Sequence, residues 1–95
     1  SEIQRRMELY VRDEEGAERL PKRSFAVLRE ALLSGELERG RIPQLIDTSE
    51  RTARRVISAL IEKRLLVSGS HKAPLRLGFP IDVVERWFPK LYPVT

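Results

Sequence analysis

The stretch Asp47-Thr-Ser-Glu-Arg-Thr-Ala-Arg-Arg-Val-Ile-Ser-Ala-Leu-Ile-Glu-Lys-Arg64 decides the fold. It opens on three polar residues, Asp47, Thr48 and Ser49, and Ser49 is a good N-cap because its hydroxyl can accept an orphan N–H of the first turn. From Glu50 to Arg64 the apolar residues Ala53, Val56, Ile57, Leu60 and Ile61 recur at i, i+3, i+4, i+7 and i+8, the stripe of a helix with one buried face. At about 100° per residue from Ala53 the stripe centres near roughly 10°, and Arg51, Arg55, Ser58 and Glu62 fall near roughly 140 to 200°. Those four side chains therefore face outward together.

Upstream, Gly40 opens a brief helix whose Pro43 sits in the first turn, where a missing N–H costs nothing. Leu45 and Ile46 supply its buried side, and it ends by Asp47. Further back, Phe25, Leu28, Ala31 and Leu32 share a face of a helix that follows Leu20-Pro21-Lys22 and stops at Gly35. Ile3, Met7 and Tyr10 give a short amphipathic helix over 2–13, terminated by Asp13, Glu14, Glu15 and Gly16. Downstream, Leu65 to Ser68 reads as a strand, Gly69 to Pro74 as a turn, and Leu75, Leu77 and Phe79 as a second strand. Pro80 breaks that strand, and Ile81, Val84, Trp87 and Phe88 are spaced for a last short helix. A short helix, a three-residue turn, a longer helix with arginines at its start and a β-hairpin come in the order of a winged helix-turn-helix. The expected fold is mainly α with a small β-hairpin, with an extra N-terminal helix and a short C-terminal helix. Residues 1–20 read as a linking helix and 21–95 as the winged helix domain.

The chain has 95 residues, 41% hydrophobic and 34% charged, a size for one small core. It has no cysteine, which excludes disulfide scaffolds and thiolate metal sites. No apolar run reaches the ~20 residues of a membrane span, so no membrane partner is expected. Net charge is +4 from 18 basic and 14 acidic residues. Residues 1–38 carry 7 basic and 9 acidic side chains, net −2, and residues 39–95 carry 11 and 5, net +6. A basic excess confined to one half suits a surface that meets phosphates, and a solvated face is its plain alternative.

A recognition helix enters the major groove N-terminus first, which places Arg51, Arg54 and Arg55 at guanine edges or flanking phosphates, with Ser58 in reach of either and Ser49, at the helix start, also expected to meet DNA. Within the helix only Glu50 and Arg54 stand at the i, i+4 spacing of an ion pair. His71 and Lys72 at the hairpin tip suit backbone contact, and solvation explains them equally. Arg39 and Arg41, at the start of the third helix, are placed for phosphates, with plain solvation as the alternative. His71 has no second histidine, cysteine or neighbouring carboxylate to make it a metal ligand or general base, and no cofactor is expected. Four of six aromatics, Phe79, Trp87, Phe88 and Tyr92, fall in the last 17 residues, as core or as anchors of a homodimer.

The run from Ser49 to Ser68, then Ala73-Pro-Leu-Arg-Leu-Gly-Phe-Pro80 and Glu85-Arg-Trp-Phe-Pro-Lys-Leu-Tyr-Pro93, resembles the C-terminal winged helix domain of Fic family proteins. The likeness covers residues 24–93. It implies a DNA-binding domain attached to a catalytic core that transfers a nucleotide, usually AMP, to protein hydroxyls. The core's signature, His-Pro-Phe-x-x-Gly-Asn-Gly-Arg, is absent from this chain, so the chain itself is not expected to be an enzyme. The start at Ser1 with the only methionine at Met7 fits a domain excised from such a parent. The implied partners are duplex DNA and the catalytic Fic domain, in a bacterial cytoplasm. One departure falls in the turn, where the family often has glycine and this chain has Asp47-Thr48; aspartate tolerates a positive φ better than most residues. The alternative function is a protein-interaction or dimerisation module of the same fold.

Overall fold

The computed structural model describes residues 2–89 of the chain. Five α-helices and one hairpin follow in the order α1 (Glu2–Gly16), α2 (Ser24–Ser34), a 3-10 turn (Arg39–Arg41), α3 (Ile42–Leu45), α4 (Glu50–Glu62), β1 (Leu66–Val67), β2 (Arg76–Leu77) and α5 (Ile81–Trp87). The molecule is mainly helical with a small antiparallel hairpin, as the sequence pattern predicts. The hairpin pairs Leu66 with Leu77 and Val67 with Arg76. A bridge between Leu37 and Leu75, closed by two backbone hydrogen bonds of 2.8 Å, adds a third chain segment beside it. Tyr92 and the rest of the tail lie outside the described residues.

One core joins all the helices. Met7, Tyr10 and Val11 of α1 pack in the same cluster as Val27 and Leu28 of α2, Val56 and Leu60 of α4, and Val83 and Trp87 of α5. The division expected at residue 20 is therefore not a division of the core, and Leu20 itself is buried in it. The α4 stripe is buried as its periodicity demands at Ala53, Val56, Ile57 and Leu60, while Ile61 is half-buried at the margin.

Several expectations shift in detail. Helix α1 runs on to Gly16, three residues past its expected end, because Asp13 and Glu14 are both held. Glu14 receives Arg19 at 2.7 Å, and Asp13 receives Arg86 of α5 at 3.0 Å. In α3 the buried side chain is Ile42 rather than Leu45, which is exposed, and Ile46 is buried as expected. A helix of four residues shows the core little more than one face, and the 3-10 turn before it rotates that face to Ile42. Helix α4 stops at Glu62, two residues early, and Arg64 turns the chain at φ 62°. In α5 the inward positions are Val83 and Trp87, at i and i+4, which leaves Ile81 in solvent.

The aromatic segment does pack, in part. Tyr10 meets Trp87 edge-on at 5.8 Å, and Phe79 meets Trp87 at 6.2 Å and Phe88 at 5.5 Å. Trp87 is buried, Phe88 is half-buried and Phe79 remains exposed on one side. The Trp87 indole N–H has no hydrogen-bond acceptor among the described residues.

Candidate nucleic-acid interface

The turn into α4 is built from three directions. Ser49 sits in extended conformation and its Oγ accepts the Thr52 N–H at 3.2 Å, so the expected N-cap forms. Asp47 takes a positive φ of 52°, which the aspartate side chain accommodates at low cost. Thr48 N–H donates to the Pro43 carbonyl at 2.9 Å, tying the turn back to α3. The third hold comes from a distance: Arg23, just before α2, donates from one Nη1 to the carbonyls of Ile46 and Asp47, both at 2.7 Å. Sequence reasoning missed this residue, because an arginine 23 positions upstream of the turn carries no local signal.

The turn aims the outward face of α4. Arg51, Arg54, Arg55, Ser58, Ala59 and Glu62 line one shallow depression along it. Arg51, Arg54, Arg55 and Ser58 are all exposed. Arg54 is paired with Glu50 at 3.3 Å, but both side chains are more than three-quarters in solvent, so the pair contributes only about 0.3–0.5 kcal/mol. Arg51 and Arg55 make no ion pair or hydrogen bond among the described residues. Their guanidinium groups stand one turn apart, with donors open to an external acceptor.

A second cleft, of about 440 Å³, lies between α4 and the hairpin loop. It brings Arg39, Arg54, Ser58 and His71 together over an apolar floor of Pro43, Ala53 and Ile57. Arg39 is less available there than its position suggests. Its Nε donates to the Ala73 carbonyl at 3.2 Å and its Nη2 to the Ser70 carbonyl at 3.1 Å, so this side chain fastens the hairpin loop to the start of α3. The loop is also tied within itself, since Ser68 Oγ donates to the Ser70 carbonyl at 2.7 Å and Ser70 Oγ accepts the N–H groups of Lys72 and Ala73. The result is a braced loop with His71 and Lys72 exposed at its tip. Arg41 stands apart, lining a separate depression with Glu30, Gln44 and Leu45.

Of the nine residues expected to meet DNA, the structure thus gathers Arg51, Arg54, Arg55 and Ser58 on one helix face and joins Arg39 and His71 to Arg54 and Ser58 across a cleft. Ser49 shapes the entry to α4, Lys72 projects from the loop, and Arg41 belongs to neither surface. Among the described residues no three histidine or acidic side chains converge as a metal site would require, and no helix is long and apolar enough to cross a membrane. Compared with family models, with curated proteins and with solved structures, the chain matches none of them.

Proposed function

We propose that the chain is a winged helix-turn-helix domain that binds duplex DNA, with α4 as the recognition helix and the hairpin as the wing. The observation that carries this reading is the pair Arg51 and Arg55, exposed on the side of α4 away from its buried stripe and free of protein partners. Arg6, Arg12, Arg19, Arg54, Arg76 and Arg86 each take a carboxylate as partner, whereas these two have none among the described residues and hold their donors toward solvent. Arg54, Ser58 and Lys72 extend the contact surface, and Arg39 acts by holding the wing in place. A guanine edge or a pair of phosphates is the acceptor that such guanidinium forks fit.

The test is a salt titration of duplex binding. If about four phosphates are neutralised, the slope of log K against log salt is near roughly −3.6. Absence of any binding at about 50 mM salt, where charge-driven association is strong, would overturn the reading. We further propose that the domain serves a larger Fic-type protein in the cytoplasm; this placement rests on the sequence resemblance alone, and the sequence of the parent gene tests it by the presence or absence of the nucleotide-transfer motif.

A further inference from the structure

The largest unaccounted apolar exposure is not on the DNA-facing side. Ile81, the first residue of α5, is 90% exposed, and beside it Phe79 and Val67 keep 48% and 45% of their surface in water. The three line one shallow depression together with the C-terminal end of α4. The other large exposed apolar side chains, Leu9, Leu33 and Leu45, lie on three different helices.

This face is rigidly built. Arg64, at φ 62°, turns α4 into β1, and Gly78 packs so closely against the Arg64 carbonyl that any Cβ there would collide with it. Gly78 N–H donates to the Leu65 carbonyl at 2.8 Å, which fixes the residues leading into Phe79 and Ile81 beside the end of α4. The rim is equally defined. It carries two bases, Lys63 and Arg64, and two acids, Glu62 and Asp82, and none of the four forms an ion pair among the described residues.

An apolar centre inside a rim of two unpaired bases and two unpaired acids is complementary to itself. The rim carries equal numbers of acids and bases, so a second copy meets no net repulsion there although the chain as a whole has a net charge of +4. A two-fold axis placed so that the acids of each copy face the bases of the other gives the self-matching an isologous contact needs. We propose that a second copy of this chain docks on the Val67, Phe79 and Ile81 face, with Lys63 and Arg64 of each copy meeting Glu62 and Asp82 of the other. With three apolar side chains at its centre the contact belongs among small interfaces, below about 1,200 Å² in total, of the size found in weak and transient complexes.

The inference stands apart from the DNA reading, since no DNA enters its test, but the two fit together. Helix α4 has 13 residues and is therefore about 20 Å long. A dimer joined near its C-terminal end sets the two N-terminal ends up to about 40 Å apart, a range that includes the roughly 34–36 Å between half-sites one helical turn apart.

Sedimentation equilibrium of the 95-residue chain between about 10 µM and 1 mM tests the proposal. The chain is expected to dimerise, and Ile81→Asp to raise the dissociation constant at least about tenfold without changing the circular dichroism or the melting temperature, because Ile81 lies outside the core. Two charge-reversed variants then probe the rim: one carries Glu62→Lys and Asp82→Lys, the other Lys63→Glu and Arg64→Glu. Each alone is expected to be monomeric, and an equimolar mixture to form the heterodimer. A wild-type chain that remains monomeric at 1 mM, a dimer indifferent to Ile81→Asp, or a mixture without heterodimer would each overturn the proposal.

Discussion

Arginine does two different jobs at the two ends of this molecule. On α1 and its surroundings four arginines are paired, Arg6 with Glu2, Arg12 with Glu8 at 2.9 Å, Arg19 with Glu14 at 2.7 Å, and Arg86 with Asp13 at 3.0 Å while lying 5.0 Å above the Tyr10 ring. Arg5 alone on α1 has no such partner among the described residues. On α4, Arg51 and Arg55 have no such partner, although the same i, i+4 spacing is filled one position away by Glu50 and Arg54. The difference is one of sequence rather than of geometry. Acids stand four or five residues before Arg6, Arg12 and Arg19, whereas the residues four before Arg51 and Arg55 are Asp47, locked in the turn, and Arg51 itself. The paired arginines around α1 are spent on contacts within the fold, and Arg51 and Arg55 keep their donors open to solvent.

The strongest way to break that contrast is to attack what both ends share. Leu60 is fully buried behind the α4 arginines, and Leu60→Ala should destabilise the whole domain by about 2–5 kcal/mol in chemical denaturation, by lost burial and the cavity left behind. A negligible cost would show that α4 does not lean on the common core. Next in size, Gly78→Ala forces a methyl group against backbone and should cost about 1–3 kcal/mol, read from the thermal midpoint. An unchanged midpoint would mean that the hairpin separates from the end of α4 at little cost.

Arginine substitutions sharpen the comparison directly. Arg55→Ala should leave stability within about 0.5 kcal/mol and weaken binding to a preferred duplex by about 1–3 kcal/mol if it reads a guanine, whereas Lys72→Ala should weaken preferred and scrambled duplexes alike. Equal losses on the two duplexes for Arg55→Ala would make it a phosphate contact. Arg12→Ala is expected to do the opposite, costing about 0.3–0.5 kcal/mol of stability through its exposed pair with Glu8 and leaving duplex affinity unchanged.

The smallest effect is a pH dependence at the paired end. Burial, and after it the nearby Glu14 carboxylate, holds the Tyr10 phenol above its ordinary value near 10. The folded chain therefore keeps this proton more tightly than the unfolded chain. The associated stability is whole below pH 10 and is lost as the pH climbs from there through the raised value. Melting curves of wild type and Tyr10→Phe across that range should diverge, with the variant losing less; parallel curves would show that Tyr10 ionises as freely as in the unfolded chain.

What could be read from the sequence was whatever a single element decides by itself. The buried stripe of α4, the Ser49 cap, Pro43 in the first turn of α3 and Gly35 as the stop of α2 all follow from local periodicity and local hydrogen bonding, and all are present. Asp47 was legible as a residue able to take a positive φ. What was not legible depends on residues far apart in the chain. The extension of α1 to Gly16 answers to Arg86, the Leu37 bridge to Leu75, and the bracing of the hairpin loop to Arg39, 31 to 34 positions away from the carbonyls it holds. The same limit explains Ile81, whose apolar character predicts burial that the turn of α5 assigns to Val83 instead. At the candidate interface the helix face was legible, and the division of its arginines into open and occupied groups was only partly so: the Glu50 and Arg54 pair follows from spacing, and the capture of Arg39 does not.

Arg23 grips the turn before α4 by two backbone carbonyls and by no side chain. Carbonyls are common to every amino acid, so the grip is indifferent to which residues occupy positions 46 and 47, provided the backbone can follow the same path. The shape of the turn is thereby written largely at position 23, and the residues of the turn itself are released to drift. Among chains descended from a common ancestor, tolerance should be wide at the exposed Asp47 for any residue at ease with a positive φ, and narrow at Arg23, since a lysine there would offer one flexible ammonium in place of a rigid fork.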